Sequence, residues 1–280
     1  MSRIKQTATG MWKSVTRRVL GSLPAPRNTA FPTPVAVPEP HPKGVSYLVG
    51  NPIFTVPIDR CRYQDGRRYS YSEHHFLQYY RYGLPQFRRF YQIHQPSNIF
   101  EYFFLDAPRA NTPAVREKPW FANYGPRQLS AEAGLAADIH GYQGCGPVSE
   151  ERILSEAARL DSVLASIGEH GFRPEMGGHV RGYFMLRRDG QWVFTVREGF
   201  HRVAALVHLG FSTIDVRFHP SYPRFVEQAD SHLWPMVRAG ALTQDEANQI
   251  FDQFFKEERQ IPASDDQDVV DGIPEFAARP

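Results

Sequence analysis

Glu198, Gly199, His201 and Arg202 fall together in the stretch TVREGFHRVAALVHLGFSTIDVRF, Thr195 to Phe218. The chemistry these residue types suit is the holding of an anion. The first N–H groups of a helix have no intrahelical partner, and the aligned peptide dipoles add partial positive charge there. A glycine lets an anion approach that backbone closely. Arg202 adds a planar fork of donors, and His201 adds one or two more according to its protonation. Charge-assisted hydrogen bonds contribute about 1.5–3 kcal/mol each, so two of them plus the helix end suffice for a micromolar phosphate site. Glu198 has two readings: a ligand to a divalent cation or a ribose hydroxyl, or an ordinary salt-bridge partner of Arg202.

Other residues carry weaker versions of the same suggestion. Glu150 and Glu151 follow Ser149 at a helix start, where a carboxylate could accept the proton of a substrate hydroxyl. The helix dipole alone also accounts for acids there. Glu73-His74-His75 lacks the i, i+4 spacing for a shared zinc and reads as a solvated helix start. His140 and Tyr142 lie in glycine-rich turns that could line a cleft.

The elements that must position these groups are legible in outline. Residues 195–218 read as strand, glycine corner, amphipathic helix, glycine stop at Gly210 and strand. Upstream, VRGYFMLRRDGQWVFTVREG reads as two strands joined at Asp189-Gly190. Before that, Ile153, Ala157, Leu160, Leu164 and Ile167 make one apolar stripe between a Ser149 N-cap and Gly171. NPIFTVPIDRCRY, Asn51–Tyr63, alternates as a strand does. SEHHFLQYYRYG and LPQFRRFYQIHQPSNIFEYFFL read as aromatic-rich helical segments that end at Gly and Pro signals, and Thr243 with Glu246 forms a capping box for a further helix.

Composition bounds the rest. With 280 residues, 41% hydrophobic and 22% charged, the chain can bury a full core, and a net charge of +2 makes the whole molecule no match for nucleic acid. Cys61 and Cys145 lack metal-ligand spacing and read as free thiols of a reducing compartment. No run reaches the length of a membrane span, so a cytoplasmic location is expected. Residues 1–23 are basic, with apolar residues at helical spacing. They read either as an interfacial helix on anionic lipid at the inner membrane surface or as a basic tail. A proline-rich linker runs to about residue 44, and residues 259–280 form an acidic, flexible tail.

LASIGEHGFRPE…YFMLRRDGQWVFTVREGFHRVAALVHLGFSTIDVRF resembles the ParB/sulfiredoxin-like superfamily. The shared features are an L-x-x-SI-x-x-hG helix end, a hairpin, a G-x-H/R-R-x-x-A corner and an LG helix stop. FTVPIDRCRY is similar to the strand that opens the same domain. The resemblance implies an α+β fold, a small mixed sheet with helices, over residues 45–220. A large helical insertion would occupy about 64–148 and a helical extension 221–258. It also implies that Gly199, Phe200, His201 and Arg202 hold the phosphates of ATP or a related nucleotide with Mg²⁺, bound by Glu198.

Phe200 stands where sulfiredoxins carry their catalytic cysteine, so that activity is not expected. The corner resembles most closely the D-G-H-H-R of free-serine kinases, whose base is a glutamate at the start of the preceding long helix; Glu150 or Glu151 would fill that role. The expected function is a kinase-like phosphotransferase acting on a small hydroxyl-bearing acceptor. The alternative is a nucleotide-dependent switch that does no chemistry. DNA binding is disfavoured, because Asp245, Glu246 and Asp252 on the last helix would repel phosphates.

Overall fold

The computed structural model describes residues 35–36, 42–46, 50–109, 112–113, 118–121 and 134–257. The readings on residues 1–23, the proline-rich linker apart from the few positions just given, and 259–280 therefore lie outside the described residues.

The centre of the fold is a mixed, seven-stranded sheet. Its strands are β1 (Val35–Ala36), β2 (Phe54–Pro57), β3 (Cys61–Arg62), β4 (Val180–Leu186), β5 (Trp192–Glu198), β6 (Thr213–Phe218) and β7 (Phe225–Glu227). They run in the order β1-β2-β6-β4-β5-β3, and β7 also pairs with β4. The β4–β5 hairpin is antiparallel, while β6 and β7 both lie parallel to β4.

Helices of eight residues or more are labelled α1 (His75–Ile93), α2 (Glu150–His170), α3 (Phe200–His208) and α4 (Gln244–Asp252). The first three pack against one another. Their apolar side chains, among them Phe76, Leu160, Val203 and Leu206, share a core with Phe54, Phe184, Phe194 and Val216 of the sheet. The opposite face carries Tyr183, Met185, Val193 and Val226, covered by Trp120, Trp234, Phe251 and Phe254. Successive residues of β4 and β5 thus enter different cores, which is why those strands are apolar almost throughout.

The signals at the ends of α2 act as the sequence suggests. The Ser149 side chain accepts the Arg152 N–H, and Gly171 ends the helix at φ +73°. Both halves of the Thr243–Glu246 capping box are made. Two expectations change. The helical insertion is helical mainly in α1, which breaks at Gly83 (φ +75°, ψ −164°) just before Pro85. It stops at Ile93, and Asn98, after Pro96, starts only a short separate helix by accepting from the Phe100 and Glu101 N–H groups. The segment beyond residue 220 is part of the same body: β7 extends the sheet, and α4 covers its second face.

Candidate functional site

β5 ends at Glu198, Gly199 turns the chain at φ +94°, and α3 begins at Phe200 with no side chain capping it. Only glycine adopts this backbone without strain. It has a second role here. A Cβ at residue 199 would lie 2.8 Å from Val180 Cγ2, 3.0 Å from Arg202 Nη2 and 3.2 Å from Arg202 Nε. The missing side chain makes room for the arginine fork.

Arg202 is held from one end. Its Nη1 donates to the Gly177 carbonyl at 2.7 Å and also to the Gly178 carbonyl. The Nε–Nη2 edge lies over Gly199 and has no hydrogen-bond partner among the described residues. Burial, followed by the fields of Arg159 and Arg181, lowers its pKa, with Glu198 acting in the opposite sense. Arg159, exposed on α2, likewise has no hydrogen-bond or ion-pair partner among the described residues. Arg202 therefore meets an uncapped helix start with donors unused, and the field of Arg159 reaches it. This edge is the bidentate one that carboxylates and phosphates prefer.

His201 does not join them. It is 5% exposed, stacks on Phe76 at 4.7 Å between ring centres, and its Nε2 meets Glu156 Oε2 at 2.7 Å. The same carboxylate receives Arg152 Nη1 at 3.4 Å. Burial pushes Glu156 up, but the hydrogen bond and charge of His201 outweigh it and hold the carboxyl below its usual range. Burial pulls the His201 pKa down, and the hydrogen bond and charge of Glu156 act in the opposite sense. The expectation that His201 contacts phosphate is thus corrected: the second helical position of α3 faces inward. Phe200 is also buried, with its ring against Tyr63, and offers only its backbone N–H.

Glu198 is engaged at both of its carboxylate oxygens. Its Oε2 accepts from Arg181 Nη1 at 3.1 Å, and its Oε1 accepts from His219 Nε2 at 3.1 Å. No group of three or more His, Cys, Asp or Glu able to hold an ion occurs among the described residues. The salt-bridge reading holds, with Arg181 rather than Arg202 as the direct partner.

Glu150 is no free base either. Both its oxygens take Arg88 of α1, at 3.0 and 3.2 Å from Nε with a further contact to Nη2, and that pairing lowers its pKa. Glu151 is exposed and held down first by its own backbone N–H and then by Ser149. Glu150 lies about 9 Å along α2 from Glu156, the residue of α2 that reaches His201. The dipole explanation of both acids is sufficient.

The Glu73-His74-His75 run is buried, not solvated as expected. Asp65 and Arg67, both 0% exposed, form a multi-dentate pair with Nη2–Oδ2 at 2.6 Å. Arg67 Nη1 donates to His75 Nδ1 at 3.1 Å, and His75 Nε2 donates to the Gln143 carbonyl at 3.1 Å. His74 Nδ1 accepts the Phe76 N–H as a cap, and Glu73 accepts the Arg68 N–H. Tyr69, His74, His75 and Phe90 stack in series at 4.4, 5.0 and 4.3 Å. Burial, then Arg67, pushes both histidines well below their usual pKa. His140 is likewise structural, with Nδ1 on Ser149 Oγ at 2.9 Å.

Arg152, Glu156 and Arg159 escaped the sequence reading. They stand at i, i+4 and i+7 of one helix, a spacing visible in the sequence. Nothing local signals that this face meets residue 201. Two shallow clefts of about 490 and 510 Å³ share Pro57, Asp59 and Arg68, and neither contains the corner. No protein-family model matches the chain, and no curated protein matches it.

Proposed function

We propose that this chain is a nucleotide-binding protein of the ParB/sulfiredoxin-like fold, with a phosphate group seated at the start of α3 between Arg202 and Arg159. The observation that carries this reading is the unpartnered Nε–Nη2 edge of Arg202, held over Gly199 by the two glycine carbonyls. A phosphate there would accept from the fork and from first-turn N–H groups, with Arg159 supplying further charge. The order of hairpin, glycine corner, helix and strand, resembling that superfamily, supports the same reading.

The geometry favours a binding or switching role over phosphoryl transfer. Glu150 is paired with Arg88, and Glu198 with Arg181 and His219, so neither carboxylate is ready to accept a proton or a metal. Transfer to a small hydroxyl-bearing acceptor would first require Glu150 to leave Arg88.

Thermal unfolding with ATP, ADP and CTP tests the reading. At least one is expected to raise the Tm, and Arg202→Gln should remove the rise. No rise with any of them would overturn nucleotide binding. Phosphorus NMR over hours then separates the two roles. Stable nucleotide means a switch, whereas turnover that disappears in Glu150→Gln would restore the kinase reading.

A further inference from the structure

Strand alternation places a second set of basic groups next to the corner. In β6, Ile214, Val216 and Phe218 enter the core beneath the helices, so Asp215 and Arg217 face the other side of the sheet. The hydrogen bond from Thr55 Oγ1 to Asp215 Oδ1, 2.7 Å, confirms that facing, since Thr55 alternates with the core residues Phe54 and Val56. Arg217 lies in register with Arg181 on the neighbouring parallel strand. Like charges on adjacent strands repel unless something compensates them.

Compensation is incomplete. Arg181 has Glu198, which is shared with His219. Asp215 accepts from Thr55, and Arg217 has no hydrogen-bond or ion-pair partner among the described residues. The Nε atoms of both arginines are buried without an acceptor. His179 stands in the field of Arg217, Asp215, Arg181 and Arg202. The Arg181 side chain is 38% exposed, so solvent reaches this end of the sheet.

We propose that His179, Arg181 and Arg217 form a second oxyanion site, taking a phosphoryl or sulfate-class group at the end of the sheet face opposite α1, α2 and α3. It does not depend on the corner being occupied. An oxyanion there gives Arg217 an acceptor for its fork and relieves the repulsion across the β4–β6 pair. His179, two residues before Arg181 in the chain, is the natural reporter.

The test follows the His179 imidazole resonance by NMR through a pH titration, assigned by its loss in His179→Gln. Inorganic phosphate is compared with chloride at equal ionic strength. Phosphate is expected to raise the apparent pKa of His179 by about one unit, as a nearby anion does. Arg217→Gln should abolish the rise, Arg217→Lys should recover part of it, and Arg202→Gln should leave it intact. Absence of a phosphate-specific rise would overturn the site, as would an equal rise in Arg217→Gln. Loss of the rise in Arg202→Gln would also overturn it, by assigning the phosphate to the corner. Should Arg217→Gln fail to fold, Arg181→Gln takes its place with the same expected loss.

Discussion

The cluster around Arg67 and the corner around Arg202 are made of the same residue types: arginine, histidine and carboxylate beside a glycine-bearing turn. Around Arg67 the donors turn inward. Asp65 takes Nε and Nη2, and His75 takes Nη1 and passes its own N–H to a backbone carbonyl. At the corner the inward half, His201 with Glu156, is equally closed, but the Nε–Nη2 edge of Arg202 and the whole of Arg159 are left with donors to spare. Residue type does not distinguish a structural charge cluster from a ligand site. Whether the donors are already spent does.

The largest effect expected from breaking this contrast is on the closed cluster. Arg67→Met removes the guanidinium paired with the buried Asp65 carboxylate, which should cost about 3–5 kcal/mol in denaturant unfolding. The double variant Asp65→Leu, Arg67→Met should recover much of the loss, because the uncompensated charge goes with it. If the single variant is as stable as the native chain, the cluster is not closed.

Acid should act on the buried histidines of both regions. His74, His75 and His201 titrate near 6.5 when unfolded, and the fold holds all three below that value. As pH falls through 6.5 the unfolded chain takes up protons that the folded chain refuses. Stability should therefore drop by up to about 1.4 kcal/mol per pH unit for each histidine. Glu156 adds a further loss at lower pH, through its depressed folded pKa. Urea midpoints measured at about pH 7.5 and about pH 5.5 check this, and identical midpoints would mean the histidines are hydrated.

At the corner the effects on stability should be smaller and the effects on binding larger. Gly199→Ala forces a Cβ into φ +94° and against Arg202, which should cost about 1–3 kcal/mol and displace the fork. Arg159→Gln should leave unfolding within about 0.5 kcal/mol of the native chain, as exposed substitutions usually do. It should nevertheless weaken nucleotide binding by about tenfold, read as a rightward shift in a calorimetric titration. A native affinity in Arg159→Gln would confine the site to Arg202. The smallest change is expected from Arg88→Gln, which frees the exposed Glu150 and should leave the Tm unaltered.

Local order was readable wherever the cause is local. Ser149 and Gly171 bound α2, Thr243 and Glu246 cap α4, and Gly199 turns the strand into α3, because caps and positive-φ turns depend on neighbours a few residues away. The aromatic segments end near the Gly and Pro signals that bound them in the sequence, but the helix after Pro96 is only a four-residue one capped by Asn98. Glu73-His74-His75 was misread as solvated because polar residues at a helix start are normally exposed. What buries them is Arg67 and the segment carrying Gln143, the latter 68 residues from His75.

By itself the amino-acid sequence determined the alternation of strands and helices, the glycine corner and the positive charge beside it, all set by backbone sterics and short-range hydrogen bonds. Only the tertiary structure decided which donors remain unused. Glu156 claims His201 from 45 residues away, Glu198 is shared between Arg181 and His219, and Arg202 is anchored by the loop before β4. Such pairings depend on chain segments meeting in space, and a side chain's free valence is settled only after they have met.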